Sequence, residues 1–390
     1  MANIDQVKIK EILSRGVSEI IERESLEKKL MSGKQLRVKL GIDPTSPHLH
    51  LGRAIPLLKL KDFQDLGHKV VLIIGDFTGV IGDTSDKESE RPMLDNKTIR
   101  QNMKTYVAQA GKILDIKKCE IKYNSQWLKK LGFVEIGKIA DMFGLHEFES
   151  RESVSTRLKE GKRVSLRELL YPIMQAYDSV AVGADIELGG TDQKFNLLAG
   201  RELQRRSGQE PQDVMMNPLL EGTDGRKMSS SWKNTINLFD LADEMFGKTM
   251  SLPDELITKY FTLATRVPLE KIEEIKKMAN PRDQKALLAK EIVRMYHGEK
   301  EAQKAEDEFN KTFRDKNPEF KKFQYNEREI SILDLLVELG LASSKNEAKR
   351  LILQKAVKIN GEIQEDWQKM IITTKGIKIQ VGPRRFLELI

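Results

Sequence analysis

The chain has 390 residues, 39% of them hydrophobic and 32% charged, and carries a formal net charge of +7. That length allows two or three domains, and no apolar run approaches the roughly 18 residues that a membrane-spanning helix needs. The one cysteine, Cys119, excludes an intrachain disulfide and points to a reducing, cytoplasmic setting.

The polar N-terminus lacks the apolar core of a secretory signal. Of five histidines only His48 and His50 are close together, and neither has an acidic or cysteine neighbour at metal-ligand spacing. No metal site is predicted. The positive charge fits a polyanion partner and plain solubility equally well.

Residues 5–32 set Val7, Ile9, Ile12, Leu13, Val17, Ile20 and Ile21 at helical spacing, which predicts one or two surface helices. Residues 38–54 read as strand, turn and helix start. An apolar run ends at Gly41, Asp43-Pro44-Thr45 makes a turn, and His48, His50 and Gly52 follow. Ile55, Leu57, Leu58 and Leu60 then mark a buried helix face. Pro56 falls near the start of this helix, where a missing N–H is tolerated. A helix N-terminus presents free N–H groups and the positive dipole end, which suits a phosphate.

Residues 69–75 form a continuous apolar run, the pattern of a strand buried on both faces of a parallel sheet. Strand, helix and strand in this order predict a doubly wound α/β fold. The run leads into Gly75-Asp76 and Gly82-Asp83, at the strand end where such sheets bind ligands. Residues 88–116 predict a loop and then a helix, preceded by Lys87 and including Arg91. A short strand at 121–123 and further helices follow.

Residues 166–182 predict a helix with Tyr171, Gln175 and Asp178 on one face and Pro172 as a kink point. Residues 185–193 read as a strand ending in Gly189-Gly190, and 194–206 as a helix. Residues 221–236 combine glycines, Arg226-Lys227 and three serines in a loop able to wrap phosphates. A solvated linker is the plainer reading of such a loop taken alone. Residues 238–325 are charged and helical in pattern, with no strand. Residues 331–390 change again, to a helix over 332–339, a strand with an Asn360-Gly361 turn, and an alternating strand over 377–381. This tail has only a small excess of basic residues, so it makes an RNA surface only if they cluster.

His50-Leu51-Gly52-Arg53 resembles the first signature of the class I aminoacyl-tRNA synthetases, usually His-Ile-Gly-His. Lys227-Met228-Ser229-Ser230-Ser231 resembles the second, usually Lys-Met-Ser-Lys-Ser. Asp43-Pro44-Thr45, Gly82-Asp83, the run Tyr171 to Asp178 and Gly189-Gly190-Thr191-Asp192-Gln193 are similar to those of bacterial tyrosyl-tRNA synthetases. The resemblance covers nearly the whole chain. It implies a Rossmann-like parallel-sheet catalytic domain over 1–235, with a helical insertion at roughly 115–185 that forms a homodimer. An all-α anticodon-binding domain over 236–328 and a small α+β RNA-binding domain over 329–390 complete the implied architecture.

The implied activity joins tyrosine to tRNA(Tyr) with ATP and Mg2+ as substrates and no tightly bound cofactor. Neither membrane nor DNA is an implied partner. The resemblance implies that Thr45, His50, Lys227, Lys87 and Arg91 stabilise the reacting phosphates. It assigns Gly41, Asp43, Gly52, Arg53, Asp192, Met228, Ser229 and Ser231 to ATP, and Lys39, Asp83, Tyr171, Gln175, Asp178 and Gln193 to tyrosine. A carboxylate at 178 that accepts the phenol hydroxyl would reject phenylalanine. Two departures stand out: Arg53 replaces the second histidine of the first signature, and Ser230 replaces the second lysine of the other. The loop after Asp83 also carries Thr84 and Asp86 where proline and glycine are common. Two rival readings are a tryptophanyl-tRNA synthetase and a catalytically silent RNA-binding paralogue.

Overall fold

The computed structural model describes residues 2–83, 93–149, 151–313, 320–382 and 385–390. The chain divides into two compact units, one of residues 1–240 and 252–288, the other of 241–251 and 289–390. No helix among the described residues is long and apolar enough to cross a membrane.

The first unit is built on a six-stranded sheet of β1 (Glu19–Ile21), β2 (Arg37–Ile42), β3 (Lys69–Ile74), β4 (Glu120–Tyr123), β5 (Ile186–Gly190) and β6 (Asp213–Asn217). The strand order is β1-β6-β5-β2-β3-β4. All neighbours run parallel except β1, which pairs antiparallel with β6. Val70 to Ile74 are all buried, as a central parallel strand requires. From β2 the chain winds outward through β3 and β4, then returns to the other side of β2 with β5 and β6. The order therefore reverses between β2 and β5, and the crevice at their C-terminal ends is where doubly wound folds bind ligands.

The helix Leu51–Asp65 follows β2 and packs Leu51, Ala54, Leu57, Leu58 and Phe63 into the core. Pro56 lies in its second turn rather than its first, and its missing N–H removes the helical donor to the Gly52 carbonyl. The helix Leu166–Val182 starts at a capping box, in which the Ser165 and Glu168 side chains satisfy each other's backbone N–H groups. It packs against the helix Lys194–Arg206. The stretch expected as a helical insertion contains β4, which belongs to the main sheet; its α-helices begin after Tyr123.

The second unit pairs the helices Ala242–Met250 and Glu299–Phe313, with the Phe246 and Phe309 rings 5.3 Å apart. Its C-terminal part holds β7 (Lys321–Phe323), β8 (Glu329–Ser331), β9 (Val357–Ile359), β10 (Glu362–Ile363), β11 (Met370–Ile372), β12 (Lys378–Val381) and β13 (Arg385–Leu389). One sheet runs β10-β9-β12-β13-β7, and β11 pairs with β8. Ile332, Leu335 and Leu336 of one helix meet Ala348 and Ile352 of the next and Val357 and Ile379 of the sheet in one core.

The sequence-based boundaries at 235 and 328 do not coincide with these units. Residues 252–288 belong to the first unit because Arg15 donates to the carbonyl oxygens of Phe261, Thr262 and Thr265, and Arg266 pairs with Asp62 at 2.9 Å. β1 replaces part of the helix expected within 5–32, and β7 interrupts the all-helical stretch expected to 325.

Candidate active site

A cavity of about 300 Å³ opens at the C-terminal ends of β2 and β5. β2 brings Gly41 and, just beyond it, Asp43 and Thr45 to its wall. A Cβ on Gly41 would meet no atom within 4 Å, so the glycine leaves open space beside the backbone. Asp43 is half-buried; its Oδ1 accepts from the Thr78 hydroxyl at 2.7 Å and its Oδ2 from the Tyr171 hydroxyl at 2.9 Å. This packing needs Gly75, where a Cβ would lie 1.9 Å from Asp43 Oδ1. Burial pushes the Asp43 carboxyl up to about 6, against the Thr78 and Tyr171 hydrogen bonds, which lower it.

His50 is the residue before the first turn of the helix Leu51–Asp65 and is itself buried. Burial holds its imidazole down at about 3, reinforced by the nearby Arg53 and Lys227 charges. The ring is therefore neutral near pH 7. Its Nδ1 is buried without a hydrogen-bond partner among the described residues. The Gly52 N–H points to the Met228 sulfur at 3.4 Å, which ties the helix start to the loop of the second signature.

Arg53 also lines the cavity. Its guanidinium donates to the Asp43 carbonyl at 3.0 Å, the Tyr106 hydroxyl at 3.0 Å and Thr45 Oγ1 at 2.9 Å. These are neutral oxygens, so much of its positive charge remains for an anion in the cavity.

The loop 222–234 supplies Lys227, Met228, Ser229 and Ser231 to the wall. Lys227 pairs with Asp192 at 2.9 Å. Ser230 Oγ lies 3.3 Å from Ser46 Oγ. Asn234 holds the loop's shape: its Oδ1 accepts from the Ser229 N–H at 2.8 Å, and its Nδ2 donates to Asp224 at 2.7 Å and to the Lys227 carbonyl at 3.1 Å.

The helix Leu166–Val182 turns Tyr171, Gln175 and Asp178 to the same cavity. Asp178 is 3% exposed; its Oδ1 accepts from the Trp127 indole at 2.7 Å and its Oδ2 from the Asn124 amide at 3.2 Å. Burial pushes this carboxyl up to about 7, opposed mainly by the charge of Lys39. Burial likewise raises the Tyr171 hydroxyl well above its usual value. Asp83 accepts from Gln193 Nε2 at 2.7 Å.

Sixteen of the residues singled out by resemblance thus share one cavity wall. Lys39 does not. Its side chain is fully buried, and its ammonium sits 2.9 Å from Glu187, 2.7 Å from the Ser179 hydroxyl and 3.1 Å from the Gln175 carbonyl. The reason is strand register: Lys39 on β2 lies directly opposite Glu187 on β5. Lys39 thus forms an ion pair in the cavity floor, where Glu187 rather than Lys39 reaches the lining. Lys87 and Arg91 lie outside the described residues.

Sequence reasoning missed Ser46, Thr78, Asn124 and Glu187 as cavity residues. Thr78 and Asn124 stand just beyond the C-terminal ends of β3 and β4, the general ligand side of such a sheet, and that position was the available signal. Among the described residues no group of three or more His, Cys, Asp or Glu is arranged to hold a metal ion.

The arrangement divides into two chemistries. Arg53, Lys227, His50, Thr45, the serines and a helix N-terminus suit a polyphosphate. Asp83, Asp178, Tyr171 and Gln175 suit a ligand with a cationic group and a hydrogen-bonding group at a distance from it.

Residues 31–314 match the family model of tRNA synthetases class I (W and Y), and residues 308–380 match the tyrosine–tRNA ligase SYY-like C-terminal domain. The chain is 48% identical over 393 residues to the tyrosine–tRNA ligase of Thermotoga maritima, covering 99% of this chain and 97% of the relative. It is 47% identical over 406 residues to that of Carboxydothermus hydrogenoformans, covering 99% of each. In fold it is similar to the C-terminally truncated mitochondrial tyrosyl-tRNA synthetase of Coccidioides posadasii, with a TM-score of 0.64 and 23% identity over 78% of this chain and 92% of that one. The tyrosyl-tRNA synthetase of Archaeoglobus fulgidus gives a TM-score of 0.61 at 22% identity over 77% of this chain and 100% of that one. With both family models matched in order and relatives alike from end to end, the chain belongs to the tyrosyl-tRNA synthetases of class I.

Proposed function

We propose that this protein is a tyrosine–tRNA ligase and that the β2–β5 cavity is its active site. The tyrosine carboxylate attacks the α-phosphorus of ATP, the bond to the bridging oxygen of the β-phosphate breaks, and pyrophosphate leaves. A ribose hydroxyl of the tRNA 3′ end then attacks the tyrosyl carbonyl, and AMP leaves. Neither step needs a protein nucleophile, so the protein contributes position and charge.

The observation that carries the reading is the pairing, in one cavity, of buried Asp178 with the cation pair Arg53 and Lys227. Asp178, steadied by Trp127 and Asn124, accepts the phenol hydroxyl. Asp83, Tyr171 and Gln175 receive the α-ammonium group. Neutral His50 and Thr45 donate to the phosphates, Arg53 and Lys227 offset the charge on the departing pyrophosphate, and Asp192 takes the ribose. Gln193 lies beside the reacting carboxyl group. Mg2+ arrives with the nucleotide phosphates, and Lys87 and Arg91 meet the pyrophosphate.

The C-terminal part of the second unit binds tRNA(Tyr). Phe133, Val134, Leu145 and Leu166 leave large apolar surfaces exposed between 94% and 59%, which supports a homodimer formed through this region. The lone Cys119 supports a cytoplasmic setting. Charging of tRNA(Tyr) with labelled tyrosine tests the reading: tyrosine becomes acid-precipitable with ATP present, whereas folded protein that leaves the tRNA uncharged contradicts it.

A further inference from the structure

Two glutamines face the amino-acid part of the cavity, Gln175 and Gln193. An amide can donate from one end and accept at the other, so its orientation decides whether a ligand meets a donor or an acceptor. Both orientations here are fixed from outside. Gln175 Nε2 donates to Glu187 Oε1 at 3.2 Å, and Glu187 is held as an acceptor by the Lys39 ammonium at 2.9 Å. Gln193 Nε2 donates to Asp83 Oδ2 at 2.7 Å. Each glutamine must then turn its carbonyl oxygen away from its carboxylate.

Both carbonyls meet the same group. Asn196, fully buried on the helix Lys194–Arg206, donates from Nδ2 to Gln175 Oε1 at 3.1 Å and to Gln193 Oε1 at 2.9 Å. An NH2 group has two N–H bonds, and Asn196 directs one to each glutamine. The result is a chain with carboxylates at both ends and one double donor in the middle: Glu187, Gln175, Asn196, Gln193, Asp83. Reversing either glutamine would set an amide oxygen against a carboxylate oxygen and an amide NH2 against that of Asn196.

We infer that Asn196 is a positioning residue for amino-acid recognition, which fixes Gln175 and Gln193 in the orientations that present Gln175 Oε1 and Asp83 to the ligand's ammonium group. Asn196 acts through the glutamines rather than by touching the substrate. The inference rests on the tyrosine reading of the cavity and adds a residue that the signature motifs do not identify.

The test is calorimetric binding of two ligands, tyrosine and 3-(4-hydroxyphenyl)propanoate, which lacks the ammonium group. Asn196→Asp keeps the shape and replaces the double donor by an acceptor. The inference predicts a rise of at least about tenfold in the Kd for tyrosine and a clearly smaller rise, of about threefold or less, for the propanoate, which keeps the carboxylate beside Gln193. Equal losses for both ligands, or no loss for tyrosine, overturn it. Should Asn196→Asp fail to fold, Asn196→Ser, which can satisfy only one glutamine, makes the same comparison with the same criteria. Wild-type protein that binds no tyrosine would instead overturn the reading of the cavity on which the inference stands.

Discussion

Lys227 and Asp192 are paired at 2.9 Å across the cavity, so the cation assigned to the phosphates rests on the carboxylate assigned to the ribose. ATP must exchange this contact for two others. Both side chains remain partly exposed, at 29% and 20%, so the pair itself is worth no more than about 1 kcal/mol of stability. Lys227→Met is expected to lower the rate of tyrosine activation by about 10²–10³-fold, the usual loss for one donor at a site of developing charge. Thermal unfolding of the same variant should shift little. Comparing the two measurements separates a catalytic cation from a structural one.

Ser230 stands where the family's signature carries a second lysine, and its hydroxyl lies 3.3 Å from that of Ser46, which lines the cavity. A lysine at this place adds a cation to the pyrophosphate side. Ser230→Lys is expected to raise the activation rate, by up to about 2–4 kcal/mol of transition-state stabilisation. Arg53, held by Thr45, Tyr106 and the Asp43 carbonyl, offers one charge on the same wall, so the wild type is expected to be slower rather than inactive. A rate identical to wild type in single-turnover experiments would count against this role for residue 230.

Asp178 and Asp43 are raised to about 7 and about 6 by burial. For a carboxyl raised on folding, the folded state binds the proton more tightly than the unfolded state. Its contribution to stability is complete below the unfolded value near 4 and is lost as pH rises through 6 and 7. The free protein should therefore lose stability between pH 5 and pH 8 from this source. Asp178→Asn should remove on the order of 2 kcal/mol of that loss, read from urea unfolding of both proteins at the two pH values. The same slope in variant and wild type would refute it.

Lys39 and Glu187 form a fully buried ion pair beneath the cavity. Removing one partner strands the other charge, so Lys39→Met is expected to destabilise the protein by about 3–5 kcal/mol. Adding Glu187→Gln to that variant should recover most of the loss. Chemical denaturation of the wild type, both single variants and the double variant closes the cycle, and an additive double variant would show that the two groups do not interact.

The parts of the fold legible in sequence were those with long, uniform patterns. β2, β3 and the helices 166–182 and 194–206 have apolar runs or helical periods that few other structures satisfy. β1 has three residues, none fully buried, and is strand only because it pairs with β6. β7, β8 and β11 are equally short, and their identity likewise comes from their partners. The site follows the same rule. Residues within contiguous motifs reached the cavity, because a motif fixes its own local geometry. Thr78 and Asn124 join it, and Trp127 supports it from behind, through hydrogen bonds to Asp43 and Asp178 from distant parts of the chain, and no local pattern encodes those. The Lys39–Glu187 pair was illegible for a related reason. A lysine inside one buried strand and a glutamate inside another are each odd alone; only the register of β2 against β5 makes them a pair.

The central claim is that this cavity activates tyrosine despite Arg53 and Ser230 in its signatures. The most direct measurement is exchange of labelled pyrophosphate into ATP by the purified protein with Mg2+ and, in turn, tyrosine, tryptophan or phenylalanine. Exchange with tyrosine and a rate lower by about 10⁴-fold or more with phenylalanine is the predicted result, since the buried Asp178 carboxylate then lacks the phenol hydroxyl as a donor. No exchange with any of the three, from folded protein that still binds tRNA, would contradict the claim and leave an RNA-binding protein without the chemistry.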